Sequence, residues 1–276
     1  MTTTSKSVAS DVTFPCDVDV SKITFSAPKQ LDNGGRSIFI NYNNRNLIVQ
    51  TPMMSLPFGI SVWPGERGLP DKHTLQMSFA GRDTNQGVQD FFDMLERISE
   101  HVIDNALENS TAWFKKKYPS RDVVADMFTP SIRYSKDKDT GELSTMYPPN
   151  FKLNLPFVDG DFRFPVYGGD REPLDLNEIL GSPKRGKGAR VSAIIHLQSI
   201  WSVGLNKSFG VTWKVCQLRM IMPANLDGYA FMPTDDDLYL NENNVKKKNS
   251  DDDEEEEEEE QKEDNATKNG DEILFM

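Results

Sequence analysis

Histidine and cysteine are scarce: three His and two Cys in 276 residues. Cys16 and Cys216 stand far apart with no CxxC partner, which excludes a disulfide framework and suits a reduced compartment. His73, His101 and His196 are scattered, so no zinc-ligand spacing exists and no metal or cofactor is expected. The chain lacks a GxSxG elbow, an HExxH pair and any paired carboxylates in a catalytic setting. No catalytic residue is expected, and the chain reads as a non-enzyme. One phosphate-loop look-alike, GSPKRGKG from Gly181 to Gly188, fails where Gly188 replaces the magnesium-binding hydroxyl. It also precedes a strand, whereas a phosphate loop feeds a helix N-terminus. No apolar run approaches the roughly 18–20 residues that a membrane helix needs. The opening MTTTSKSVAS has no apolar signal-peptide core, so the expectation is an intracellular protein with no membrane partner. The sequons at Asn109, Asn206 and Asn265 then count as chance matches.

Acidic residues are missing from one long stretch. The 48 residues between Glu178 and Asp227 hold no Asp or Glu but seven cations: Lys184, Arg185, Lys187, Arg190, Lys207, Lys214 and Arg219. A second basic span, KKKYPSR, sets Lys115, Lys116, Lys117 and Arg121 beside Trp113 and Tyr118. Surfaces that gather positive charge and omit negative charge attract polyanions. Trp201 and Trp213 fall inside the acid-free stretch, and bases of single-stranded nucleic acid stack on such rings. Trp213 alternates with Val211 and Val215, a pattern equally suited to a core residue.

The net charge of −12 belongs to the far end of the chain. From 235 to 276 there are 18 acidic and 5 basic residues; the preceding 234 residues hold 26 basic and 25 acidic. The run DDDEEEEEEE repels itself and cannot build a core, so 235–276 is expected to be a disordered acidic tail. Its last residues, Ile273, Leu274, Phe275 and Met276, form an apolar tip beyond the polyanion and read as a docking element. Lys246 to Lys248 are a weak nuclear-import signal beside such a polyanion.

Residues 1–14 read as a flexible arm and 15–234 as a β-rich domain. Short β-branched or aromatic runs at 22–28, 37–43, 46–50, 58–63 and 73–79 are separated by Gly, Asn and Pro turns. Between Gly87 and Lys117 the pattern changes: Phe91, Leu95, Ile98 and Val102 recur at helical steps, predicting one amphipathic helix that continues toward Trp113. Strands resume at 131–135, 151–157 and 162–167, and two longer ones, 190–201 and 209–222, close the body. This order fits a mainly β domain with one long inserted helix; pattern alone leaves barrel and sandwich open.

The passage HTLQMSFAGRDTNQGVQDFFDML, the strand PPNFKLNLPF, the Gly/Arg-rich entry to RVSAIIHLQSIW and the closing DEILFM resemble the podophage-type single-stranded DNA-binding proteins. That family has relatives in large nucleocytoplasmic DNA viruses. The resemblance implies an OB-fold-like barrel with an inserted helix, a basic groove for single-stranded DNA and a tail that competes for it. It also implies a tip that docks replicative DNA polymerase and helicase/primase, a possible homodimer, and a site of action in the host nucleus or a cytoplasmic viral replication site. By this resemblance Trp201 and Trp213 stack on bases with Trp113, while Lys184, Arg185, Lys187, Arg190, Lys214, Lys115 to Lys117 and Arg121 contact phosphates. Two departures stand out: Met276 follows the aromatic Phe275, and the strands before Lys72 exceed the family's short start. An acidic-tailed histone chaperone and a virion structural protein are the alternatives. The first explains the polyanion but not the acid-free cationic stretch.

Overall fold

The computed structural model describes residues 12–31, 35–66, 69–137, 140–144, 146–203, 208–223, 231, 232 and 234. The chain divides into two units, 1–223 and 224–276, so the break falls after Pro223, whereas the sequence places it at 234. In the second unit Phe231, Met232 and Thr234 are described, and all three are exposed. The expected acidic tail and its apolar tip lie outside the described residues.

Among the described residues, eight strands precede the long helix: β1 (Val12–Thr13), β2 (Ile23–Phe25), β3 (Lys29–Gln30), β4 (Arg36–Tyr42), β5 (Leu47–Gln50), β6 (Met54–Ser55), β7 (Ile60–Trp63) and β8 (Lys72–Ser78). Helix α1 (Gln86–Glu108) leads to α2 (Ser110–Phe114) and α3 (Arg121–Met127). Then come β9 (Phe128–Thr129), β10 (Ile132–Arg133), β11 (Ser135–Lys136), β12 (Leu143–Ser144) and β13 (Asn150–Leu155). After β14 (Phe157–Val158), β15 (Asp161–Phe162), β16 (Val166–Tyr167) and α4 (Leu176–Gly181), the strands β17 (Arg190–Val203) and β18 (Ser208–Ile221) close the body.

The body is mainly β, a curled half-barrel with one long helix, as the sequence pattern and the OB-like expectation require. Strand β17 organises it. One edge pairs antiparallel with β18, and the other pairs in turn with β4, β5 and β6. Register shifts at Ile194/Ile195 and Leu197/Ser199 bend the strand, which lets a single strand serve several partners. Val191, Ala193, Ile195 and Leu197 point into the core and alternate with partly exposed residues, the period of two that a half-buried strand needs. The strands before Lys72 are thus part of the main sheet. Val12–Thr13, expected in a flexible arm, pairs parallel with β5.

Helix α1 packs its apolar stripe into the core beside β13. Asn85 caps it, its side chain accepting from the Val88 N–H at 3.2 Å. The stripe Phe91, Leu95, Ile98 and Val102 is buried, joined by Val88, Phe92, Met94, Ile103 and Ala106. Phe91 meets Phe151 of β13 edge-on at 5.3 Å. Each such side chain contributes roughly 1.5–3 kcal/mol on full burial. The helix stops at Glu108 and does not run on to Trp113; a break at Asn109 starts the separate α2.

Candidate nucleic-acid interface

The polar face of β7, β8, β13 and β10 carries two neighbouring recesses. Pairing registers set the face: Trp63 lies opposite Lys72, Gln76 opposite Lys152, and Asn150 opposite Arg133. In β13 the core takes Phe151, Leu153 and Leu155, so strand alternation turns Lys152 and Asn154 outward.

The first recess, about 840 Å³, is lined by Phe58, Trp63, Ser182, Lys184, Arg185 and Lys187 among others. Phe58 is 61% and Trp63 52% exposed. The basic turn reaches β7 because Gly59 lets it: Ile60 N–H donates to the Arg185 carbonyl at 2.8 Å, and a Cβ on Gly59 would stand 2.5 Å from that oxygen. Gly59 also has φ +65°, the left-handed region that side chains disfavour.

The second recess, about 270 Å³, is lined by Arg133, Lys152, Asn154, Trp201, Thr212 and an edge of Trp213 among others. Trp63 and Lys152 connect the two. The Trp63 indole N–H donates to Thr74 Oγ1 at 3.3 Å, and Lys152 Nζ lies 5.2 Å from the centre of the same ring. Burial lowers the Lys152 pKa, and the nearby charges of Arg133 and Lys72 add to that. Among the described residues, no Asp or Glu lines either recess. The joined trough presents exposed rings between cations, an arrangement that can stack planar groups and neutralise phosphates.

The expected site residues distribute unevenly over this geometry. Lys184, Arg185 and Lys187 line the first recess, and partly exposed Trp201 lines the second. The Trp201 ring lies against Gly210, where a Cβ would come within 2.8 Å of the indole. Trp213 is a correction: it is only 7% exposed, faces Phe151 and gives its indole N–H to Ser131 Oγ at 3.0 Å. Trp113 is a second: it is 3% exposed, packs edge-on against Phe25 at 5.2 Å, and has no face left for a base. Arg121 is a third, because Glu100 and Asp104 of α1 hold its guanidinium. Lys115, Lys116 and Lys117 are exposed yet line neither recess, and Lys116 sits over the Tyr118 ring. Arg190 and Lys214 are also exposed and also line neither.

Sequence reasoning missed Phe58, Trp63, Arg133 and Lys152. Trp63 did carry a signal: it shares parity with Ser61, not with the buried Ile60. The expected tip, Ile273 to Met276, lies outside the described residues.

A single-stranded DNA-binding protein from bacteriophage Enc34, solved in complex with single-stranded DNA, is similar in structure at a TM-score of 0.36 and 13% identity. The match covers 74% of this chain and 96% of that one. The single-stranded DNA-binding protein encoded by bacteriophage T7 is similar at a TM-score of 0.36 and 13% identity, covering 67% of this chain and 98% of that one. At such scores neither likeness carries over to function. No curated protein matches the chain. The model of a family of unknown function, DUF5871, matches residues 73–234, from β8 through the closing strands, and the chain belongs to that family.

Proposed function

We propose that the chain is a sequence-independent single-stranded DNA-binding protein and not an enzyme. The observation that carries this reading is the acid-free trough, in which exposed Phe58 and Trp63 and the partly exposed Trp201 stand among Lys184, Arg185, Lys187, Lys152 and Arg133. Rings take bases and cations take phosphates. Neither contact reads sequence, because every base has a π-face and every nucleotide a phosphate. Residues 235–276, with 18 acids, act as a polyanion that competes with DNA for these cations. Once displaced, their apolar tip docks replicative polymerase and helicase/primase. The setting is replication and recombination of a large nucleocytoplasmic DNA virus, in the host nucleus or a cytoplasmic replication site, with the protein acting as a homodimer.

Titration with fluorescent oligo-dT, following quenching of the tryptophan emission, tests the reading. Saturable quenching is expected with oligo-dT and not with duplex DNA of equal length. The run DDDEEEEEEE favours a second reading, an acidic-tailed histone chaperone. Core histones in place of oligo-dT discriminate: binding to histones without binding to oligo-dT replaces the proposal.

A further inference from the structure

A third recess, of about 670 Å³, shares no lining residue with the trough. Phe14 and Cys16 border it beyond β1, Pro52 and Met53 border it between β5 and β6, and Leu218 of β18 contributes to its wall. Phe14 is 56% exposed. Among the described residues, two guanidinium groups, Arg171 and Arg219, share this apolar lining with one carboxylate, Asp90, which already accepts from Gln86 Nε2 at 2.7 Å. Arg219 gives one donor to the Gly169 carbonyl at 2.8 Å, a fraction of the five N–H groups it carries. The volume falls within the roughly 300–1,000 Å³ typical of ligand pockets. Apolar walls with an excess of guanidinium suit a ligand that joins hydrophobic side chains to carboxylates.

The last residues of the sequence form such a segment. Asp271 and Glu272 are followed directly by Ile273, Leu274, Phe275 and Met276. We propose that the recess receives Asp271–Met276 of a second copy of the chain, the apolar residues entering it and the carboxylates meeting Arg171 and Arg219. Each copy carries the segment and the recess, so two copies can exchange segments reciprocally and close the proposed homodimer, or pass them on from copy to copy into a row. A row suits a protein laid along a linear polyanion. The choice of a second copy rests on the proposed DNA-binding reading; the match of segment to recess does not.

The exposed Cys16 thiol borders this recess and reports its occupancy, while Cys216 is partly buried and its pKa is raised by that burial. The test follows alkylation of Cys16 in the full-length protein by peptide-resolved mass spectrometry, without nucleic acid. The Cys16 rate should fall several-fold as protein concentration rises. It should also fall in dilute protein on addition of a synthetic Asp271–Met276 peptide. Full-length Phe275→Ala and Arg171→Glu should each remove the concentration dependence. A rate that responds to neither protein concentration nor peptide overturns the proposal, and the peptide added to wild-type protein decides this whether or not a variant folds. Full protection at every dilution overturns the assignment to a second copy. Because the assay holds no DNA, a protein that binds oligo-dT but leaves Cys16 unprotected loses this inference alone.

Discussion

Single residues separate packing from binding most sharply among the tryptophans. Trp63 is half exposed above Lys152, whereas Trp113 is sealed against Phe25 and Phe114. Trp63→Ala should weaken oligo-dT binding by about 1–3 kcal/mol, the worth of one base–ring stack, and leave the melting temperature nearly unchanged. Trp113→Ala should do the reverse, costing about 3–5 kcal/mol of stability through a core cavity. Paired fluorescence titrations and thermal melts distinguish them, and equal affinity loss in both variants would count against the trough. His196 offers a pH test. Its Nε2 is buried without a hydrogen-bond partner, and burial, then Lys214 across the strand pair, lowers its pKa from the usual 6.5. The unfolded chain thus binds this proton more readily than the fold does. The contribution of the neutral imidazole is complete above the unfolded pKa, near 6.5, and is lost as pH falls below it toward the folded pKa. His196→Leu should flatten that decline in thermal melts taken from pH 7.5 down to about 5; an unchanged slope contradicts it.

At the level of elements, much was legible because periodicity is a local signal. The helical steps of Phe91, Leu95, Ile98 and Val102 place α1, and alternation in 190–201 and 209–222 places β17 and β18 to within two residues. The acid gap after Glu178 found one wall of the trough, the Lys184–Lys187 turn. The opposite wall comes from Trp63, Lys152 and Arg133, which only sheet pairing brings together across some ninety positions of sequence, and composition is blind to pairing. Proximity in sequence misled at Arg121, whose charge looked available until α1 folded its acidic face beside it. Gly59 ties the two walls. Gly59→Ala should force the basic turn away from β7, since its Cβ has no space beside the Arg185 carbonyl and its φ is positive. The expected result is weaker oligo-dT binding together with faster proteolysis after Lys184 or Arg185. Unaltered cleavage and affinity would show that the turn is not held there.

Across the whole molecule, charge is the governing quantity. A body with 26 basic and 25 acidic residues binds a polyanion only if its charges are segregated, and the trough is one such segregation. The 18 acids of 235–276 lie in the same chain at high effective concentration. Removing 235–276 should therefore tighten oligo-dT binding, most at low salt where screening is weakest. Unchanged or weaker affinity in the shortened protein would end the competitor role while leaving the trough in place.

The most direct measurement is the salt dependence of oligo-dT affinity, for the wild type and for a variant with Lys184, Arg185, Lys187, Lys152 and Arg133 all replaced by Gln. Five phosphate contacts on a single strand give a slope of log K against log salt near −3.5, at about −0.7 per contact. The account predicts that slope for the wild type and its collapse toward zero in the variant, with Trp63 quenching reporting both. A wild type that binds oligo-dT with the same steep slope after all five replacements contradicts it.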